Sequence, residues 1–143
     1  MEIYDMAGHL IRRLHQSSTH VFALRTKEAG LDVTPVQFAA LNAIRETPGI
    51  DQAGVAARIA YDRATIGGVI DRLEQKGWIT REISPRDRRA RVLALTETGA
   101  AMYGRILPVV RELQPEILPG LTDEERAAFL ALARKATDQE PRS

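Results

Sequence analysis

Four arginines lie within the eight residues Ser84–Arg91, and a single acid accompanies them. The arginines are Arg86, Arg88, Arg89 and Arg91, and the acid is Asp87. Guanidinium groups present forks of N–H donors that pair with phosphate oxygens, so this loop is suited to an anionic polymer. From Arg58 to Arg91 the chain has nine Lys and Arg but five Asp and Glu, a local charge of +4 where the whole chain carries +1. Such a basic block is typical of modules that bind duplex nucleic acid, although a charged loop can also be simply solvated.

The segments on either side of this loop predict a helix followed by a β-hairpin. Apolar residues recur upstream at the i, i+3, i+4 and i+7 positions of one helical face, namely Ile66, Val69, Ile70 and Leu73. Asp62 is a good N-cap for this helix, and Gly77 is a good residue to end it. Strand-forming residues follow at Trp78–Ile83 and again at Val92–Leu95. The cationic loop is therefore expected at the tip of a hairpin.

Two shorter helices are predicted before this one. Thr34 and Gln37 have the spacing of a capping box, and the helix they open is expected to run to about Glu46. Asp51 is placed to cap a short helix over residues 52–59. Only a tight turn separates that helix from the next, so the pair predicts a helix-turn-helix whose second member is the recognition helix.

Long helices are predicted at both ends of the chain. The first is expected from about Asp5 to Lys27 and another from Thr96 to about Leu118. A last one is expected after Thr122, which has the spacing of a capping box with Glu125. An apolar stripe on the first helix is formed by Ile3, Leu10, Leu14 and Val21. Because a helix this long exceeds the needs of one small core, we expect part of the stripe to pack against a second copy of the chain.

The predicted fold is mainly α with a small β-wing, a winged helix-turn-helix flanked by long terminal helices. The predicted DNA-binding domain covers residues 31–96, and the predicted dimerisation region covers residues 1–30 and 97–143.

The sequence resembles the MarR family of bacterial transcriptional regulators over nearly the whole chain. The resemblance rests on TIGGVIDRLEQKGWI at residues 65–79 and SPRDRRARVLALTETG at residues 84–99. Within the second segment, Asp87-Arg88-Arg89 leading into Leu-Thr-x-x-Gly is among the more specific marks of the family. The resemblance implies a homodimer that binds a palindromic operator, usually represses, and releases DNA when a small phenolic or aromatic-acid ligand binds.

The sequence departs from the family at Gly67-Gly68, where members commonly have a polar or basic pair. Each glycine inside a helix costs roughly 1 kcal/mol relative to alanine. The pair either lets the helix backbone approach DNA or a neighbouring helix closely, or marks weakened base recognition.

Candidate DNA contacts on the recognition helix are the residues off its apolar face. They are Arg63, Ala64, Thr65, Gly68 and Arg72, and Asp71 shares their side of the helix. Gly67 is a further candidate as the other member of the glycine pair. Arg63 is expected to reach a guanine, and Thr65 a thymine methyl group or a phosphate. Arg72 is expected either to contact phosphate or to pair with Asp71 or Glu74.

The wing arginines have separate expected roles. Arg89 is assigned to the minor groove, where narrow A·T tracts attract a guanidinium. Arg86, Arg88 and Arg91 are candidates for phosphate contacts. Asp87 is expected to orient arginine, because a carboxylate directly against phosphate would be repelled.

A second candidate site lies on the first helix, where His9, Arg13, Gln16 and His20 share a face. An arginine fork beside histidines is a plausible clamp for an aromatic carboxylate, but the same spacing also describes a solvated polar face. The three histidines of the chain cannot converge on one ion, so neither a metal nor any other cofactor is predicted.

Other function classes find no support in the sequence. The chain has no cysteine, no glycine-rich phosphate loop and no Ser/His/Asp grouping, so it is not predicted to be an enzyme. It has no apolar run long enough for a membrane span, and a cytoplasmic protein with no membrane partner is expected.

The predicted function is a homodimeric repressor of double-stranded DNA targets that responds to a small aromatic or phenolic effector. The alternatives are a winged-helix module that binds protein instead of DNA, and a DNA-binding regulator without an effector.

Overall fold

The computed structural model describes residues 2–59 and 63–138, with residue 63 described by its backbone. In chain order the elements are a 3₁₀ turn (Ile3–Asp5), α1 (Ala7–Glu28), α2 (Pro35–Glu46), α3 (Gln52–Arg58), α4 (Arg63–Gln75), β1 (Ile79–Ile83), β2 (Arg91–Leu95), α5 (Glu97–Ile117) and α6 (Asp123–Thr137). The mainly helical fold with a small β-wing is confirmed. The predicted cap at Asp62 lies outside the described residues. No helix in the described part is both long and apolar enough to cross a membrane.

The chain forms two compact units. One unit is Phe22–Arg111, and the other combines the residues up to Val21 with those from Glu112 onward. The first unit therefore contains the last turns of α1 and most of α5 besides the helix-turn-helix and wing. Phe22 of α1 and Tyr103 and Ile106 of α5 are buried there, which explains why this unit extends beyond residues 31–96.

Local hydrogen bonds fix the starts of α2 and α3 as predicted. Thr34 Oγ1 accepts from the Gln37 N–H at 3.1 Å, and Gln37 Oε1 accepts from the Thr34 N–H at 3.2 Å. Asp51 Oδ1 accepts from the Gly54 N–H at 2.8 Å. These contacts satisfy backbone donors that the first turn of a helix leaves without partners.

The recognition helix α4 is held by one buried face. Ile66, Ile70 and Leu73 have no exposed surface, and they lie with Leu41 of α2 and Val55 of α3 in the core of the winged unit. Burying side chains of this size contributes roughly 1.5–3 kcal/mol each. The apolar face predicted from the sequence is thus the face that sets the rotation of α4.

The end of α4 is a Schellman motif built on Gly77, which has a φ of 76°. The Trp78 N–H donates to the Leu73 carbonyl at 3.1 Å, and the Gly77 N–H donates to the Glu74 carbonyl at 2.9 Å. This is the hydrogen-bond pattern that a left-handed residue after a helix produces, and glycine adopts that conformation without strain.

Lys76, at the same helix end, ties together three segments of the winged unit. Its ammonium donates to Gln37 Oε1 at 3.1 Å and to the Asp32 carbonyl oxygen, and it lies 4.5 Å from the centre of the Trp78 ring. The side chain is mostly buried. The start of α2, the end of α4 and the start of β1 are therefore held at one point.

The wing is an antiparallel pair whose register runs from Ile79↔Leu95 to Ile83↔Arg91. A third segment adds to it, since the Leu93 N–H donates to the Ile50 carbonyl at 2.8 Å and Asp51 forms a bridge with Val92. Both strands differ from the prediction by one residue, because Trp78 belongs to the helix-ending motif and Arg91 pairs with Ile83.

In the second unit, α1 begins at Ala7 and not at Asp5. Met6 has extended backbone angles and its N–H donates to the Ile3 carbonyl, so the preceding turn is 3₁₀ and does not continue into α1. Ser17 donates to the Ile117 carbonyl at 3.3 Å, joining α1 to the end of α5.

The last helix, α6, opens with the predicted capping box. The Glu125 carboxylate accepts from the Thr122 N–H at 2.9 Å, and the Glu125 N–H donates to Thr122 Oγ1 at 3.2 Å. The backbone hydrogen bond from Thr122, followed by the contact with its hydroxyl, lowers the pKa of Glu125 below its ordinary value.

The start of α5 passes unusually close to the base of the wing. Thr96 caps this helix by accepting from the Gly99 N–H at 3.0 Å, and its own N–H donates to the Trp78 carbonyl at 3.0 Å. A Cβ atom added at Gly99 would lie 1.9 Å from that carbonyl oxygen, which is backbone and has no side-chain freedom to move away. Only glycine fits at this crossing.

We expect Gly99→Ala to destabilise the protein by about 1–3 kcal/mol, the typical cost of forcing an extra carbon into a packed region. The matched control is Gly104→Ala in the same helix, where an added Cβ meets no atom within 4 Å. That control should gain up to about 1 kcal/mol from helix propensity. Urea unfolding of both variants measures the difference, and equal stabilities would contradict the crossing described above.

Candidate nucleic-acid interface

One face of α4 is exposed opposite its buried face. Ala64, Thr65, Gly68 and Arg72 are exposed, in agreement with the face predicted from the sequence. Arg63 is the first residue of the helix, and its side chain lies outside the described part of the structure. Arg72 forms no ion pair with any residue described, so its guanidinium is available for phosphate.

The two glycines of α4 have different surroundings. A Cβ atom added at Gly67 would lie 3.4 Å from Gln52 Nε2 of α3, an ordinary packing distance. A Cβ atom added at Gly68 would meet nothing within 4 Å, and Gly68 is exposed. Packing within the chain therefore gives no reason for glycine at position 68. The sequence analysis considered a close approach of this glycine either to DNA or to a neighbouring helix. Among the described residues, no neighbouring helix lies within 4 Å of a Cβ atom added at Gly68.

The tip of the wing has a defined backbone. The Ser84 hydroxyl oxygen accepts from the Arg86 N–H at 3.2 Å and from the Asp87 N–H at 3.4 Å. Asp87 Oδ1 accepts from the Arg89 N–H at 3.0 Å. Asp87 thus positions Arg89 through its backbone N–H, whereas the sequence indicated only that it would orient arginine. The tip is shaped by these contacts before any partner is present.

The arginines of the tip are exposed and largely uncompensated. Within the described part of the chain, no carboxylate forms an ion pair with Arg86, Arg88, Arg89 or Arg91. The Arg91 guanidinium donates instead to the Arg88 carbonyl of the tip at 3.2 Å. A preformed loop that presents unpaired guanidinium groups is suited to a polyanion.

The acids of α4 pair with a residue that the sequence analysis did not single out. Arg81 of β1 donates through Nη2 to Asp71, and its Nε lies 3.7 Å from Glu74 Oε1. The alternative in which Arg72 pairs with Asp71 or Glu74 is therefore wrong for this structure. The i, i+3 spacing of Asp71 and Glu74 places both acids on one side of the helix, where one cation can contact both. The sequence does not show which strand residue faces that side.

The second candidate site lies on α1, in the unit of terminal helices. The continuous helix keeps His9, Arg13, Gln16 and His20 on one face; His9 is half-buried and the other three are exposed. The arginine that contacts His9 is Arg12, whose Nη2 lies 3.1 Å from His9 Nδ1, and the Tyr4 ring meets the His9 ring edge-on at 5.2 Å. Nowhere in the described part do three or more His, Asp or Glu side chains converge as a metal site would require.

An open pocket of about 420 Å³ lies at the other end of α1, within the winged unit. Its lining residues are Ala23, Thr26, Lys27, Gly30, Leu31, Asp32 and Val33. None of the four residues predicted to bind a ligand contributes to this pocket. The structure therefore leaves the predicted clamp on an open helix face.

Comparison with known proteins identifies the relatives of this chain. Residues 31–90 match the profile of the MarR family. The HTH-type transcriptional repressor NicR of Pseudomonas putida is 32% identical over 139 residues, covering 97% of this chain and 87% of NicR.

Two solved structures are similar over almost the whole fold. BpsR of Bordetella bronchiseptica is 29% identical with a TM-score of 0.89, covering 98% of this chain and 99% of that one. The DNA binding of BpsR is regulated by 6-hydroxynicotinic acid. The transcriptional repressor CouR, solved on a 23-mer DNA duplex, is 26% identical with a TM-score of 0.85, covering 95% of each chain. NicR is 32% identical along nearly the full length of this chain, and the structure has the winged helix-turn-helix with its basic wing. The chain therefore belongs to the MarR family of DNA-binding transcriptional regulators.

Proposed function

We propose that the protein is a homodimeric repressor that binds a palindromic operator and leaves it when a small hydroxylated aromatic or heteroaromatic acid binds. The observation that carries the DNA-binding part is the preformed wing tip, with its exposed arginines that have no acidic partner in the described structure. A wing that bound protein would have little use for this charge, so the protein-interaction alternative is disfavoured.

The proposed DNA contacts divide between the two grooves. The exposed face of α4 enters the major groove, where Arg63 reads guanine and Thr65 contacts a thymine methyl group or a phosphate. Arg89 enters the adjacent minor groove, and Arg72, Arg86, Arg88 and Arg91 contact phosphates. The similar protein CouR was solved bound to a DNA duplex, which supports duplex DNA as the partner.

Dimerisation through the terminal helices is supported by the apolar surface that they expose. The exposed large apolar residues of that unit are Ile3, Tyr4, Met6, Leu10, Ile11, Leu130 and Leu132. None of the residues of α6 is buried in the single chain. Apolar surface concentrated in this way is typical of an association site, and a two-fold dimer would present two recognition helices to successive major grooves about 34–36 Å apart.

The effector proposal comes from the relative BpsR, whose DNA binding is regulated by 6-hydroxynicotinic acid. That molecule has a carboxylate on a hydroxylated heteroaromatic ring. We assign the carboxylate to Arg13, with His9, Gln16 and His20 as hydrogen-bonding neighbours. Release requires that the effector bind more tightly to a dimer whose recognition helices have a different spacing.

We expect Arg89→Ala to weaken operator binding by about 1–3 kcal/mol, because a guanidinium in the minor groove contributes to both affinity and preference. Arg134→Ala, on the exposed surface of α6, is the control and should bind as wild type does. Binding would be measured by fluorescence anisotropy, with a duplex that the wild-type protein selects from a random pool. If both variants match the wild type at every salt concentration, the wing assignment fails.

Gly68→Ala tests whether the glycine serves a close approach to DNA. The variant should be more stable by up to about 1 kcal/mol, because alanine favours the helix and nothing in the chain obstructs its Cβ. It should nevertheless bind the operator less tightly, because the methyl group would stand between the helix and the bases. Gly104→Ala should give the same gain in stability with unchanged operator affinity. Tighter binding by Gly68→Ala would show that the glycine only weakens the helix.

Arg13→Ala should leave operator binding intact and raise the concentration of 6-hydroxynicotinate or 4-hydroxybenzoate needed for release by roughly tenfold to a hundredfold. This factor in effector affinity corresponds to the usual free energy of a charge-assisted hydrogen bond. The corresponding neutral amides should not release the wild-type protein. The measurement is a titration of the operator complex with each compound.

Arg12→Ala is the matched comparison, because Arg12 is the arginine that contacts His9 in the structure. If Arg12→Ala loses release while Arg13→Ala keeps it, the clamp has been assigned to the wrong arginine. If no acid in the panel shifts the melting temperature of the wild-type protein, the alternative of a regulator without such an effector is favoured.

A further inference from the structure

Arg81 joins the wing to the recognition helix at the middle of β1. Its Nη2 donates to Asp71, and its Nε lies 3.7 Å from Glu74 Oε1, two acids separated by one turn of α4. The Arg81 side chain is 25% exposed, whereas Asp71 and Glu74 are 61% and 48% exposed. The arginine therefore lies between strand and helix, and the carboxylates reach it from the solvent side.

The inner half of the wing is anchored by other contacts. Ile79 and Leu93 are buried, the Leu93 N–H donates to the Ile50 carbonyl, and the Thr96 N–H donates to the Trp78 carbonyl. These contacts hold the base of the hairpin to the core of the winged unit. Asp51 also forms a bridge with Val92 of β2, one residue pair beyond Arg81. Past that pair the hairpin depends on its own two strands, and an isolated pair of strands is only marginally stable.

The outer half has no comparable burial. Ile83, at the end of β1, is 59% exposed, and the hydrogen bonds that shape the tip run within the tip itself. Arg81 is placed where the anchored part of the strand gives way to the exposed part. A contact at this point controls the angle between the tip and α4.

We propose that Arg81 is a positioning residue for operator binding, which fixes the wing tip relative to α4 by bridging Asp71 and Glu74. DNA binding requires α4 in one groove and the tip in the next at the same time, so the angle between them determines whether both fit. This inference rests on the proposed DNA contacts of the two elements. It assigns no DNA contact to Arg81 itself.

The bridge also has room to tighten. Arg81 Nε is buried and has no hydrogen-bond acceptor among the described residues. A movement of roughly 0.5–1 Å would bring Glu74 within hydrogen-bonding distance of it. The Glu74 side chain is 48% exposed and can make this movement itself, so the second arm of the bridge can form without a change in the backbone.

Replacing Asp71 and Glu74 by neutral amides distinguishes a positioning role of Arg81 from a purely electrostatic effect on DNA binding. In Asp71→Asn/Glu74→Gln the bridge is lost, but each winged unit gains two units of positive charge, which by itself would strengthen binding to DNA. Positioning predicts the opposite result, a roughly tenfold to hundredfold loss of operator affinity, and a similar loss in Arg81→Met. The control Glu112→Gln/Glu124→Gln removes two exposed acids outside the winged unit and should not weaken binding.

The salt dependence and the wing itself give further readouts. Arg81→Met should keep the salt slope of the wild type, because the loss lies in the smaller fraction of free molecules whose wing is correctly oriented, and the complexes that form keep their phosphate contacts. Arg88→Ala removes a phosphate contact and should reduce the slope by about one per subunit. The chain has no cysteine, so a spin label can be placed uniquely at Pro85→Cys on the tip. The label should become more mobile when either bridge variant is introduced.

The outcomes are distinguishable from failure of the proposed function. If the wild-type protein selects no operator, the DNA-binding proposal itself fails. If the wild type binds but Asp71→Asn/Glu74→Gln binds equally or more tightly, the positioning role of Arg81 is wrong. It is also wrong if affinity falls while the mobility of the label stays unchanged. Because the two acids are exposed, this variant is expected to fold even if Arg81→Met does not.

Discussion

The burial of one face of α4 is the constraint on which the rest of the interface depends. Ile66, Ile70 and Leu73 are completely buried, so the helix cannot rotate about its axis without exposing them to water. The opposite face is therefore fixed toward solvent, and with it Gly68 and Arg72. The rotation of the recognition helix follows from hydrophobic burial, and the residues exposed on its other face follow from that rotation.

The wing inherits its position from the same helix. Gly77 ends α4 in a left-handed conformation, and the chain turns at once into β1. The Trp78 carbonyl then accepts the N–H of Thr96, where Gly99 lets the start of α5 come close. Helix end, strand start and the next helix start are thus joined by backbone contacts, which tolerate little variation in distance. Arg81 extends this control from the base of the wing toward its tip.

The unpaired charge of the tip contrasts with the paired charge near α4. Asp71 and Glu74 are directed to Arg81, so the acids of the recognition helix are compensated within the chain. Asp87 is directed to the backbone N–H of Arg89, so it neutralises no guanidinium. Asp71, Glu74 and Asp87 therefore hold other parts of the winged unit in position. The wing arginines have no acidic partner among the described residues, as an interface with phosphate requires.

Most features whose cause lies within a few residues were predictable from the sequence. The caps at Thr34, Asp51 and Thr122 were predictable because a capping side chain and the N–H groups it accepts from are three residues apart. The buried face of α4 was predictable because its period is that of the helix. The family resemblance and the basic wing were recognisable because each is carried by consecutive residues of the sequence.

The tertiary structure alone decided the contacts that cross between elements. Nothing local pairs Arg81 with acids seven and ten residues earlier, because that pairing depends on how β1 folds back along α4. The glycine at position 99 is required by a carbonyl 21 residues away in the chain. Periodicity gives the face of an element, but only packing decides what that face meets.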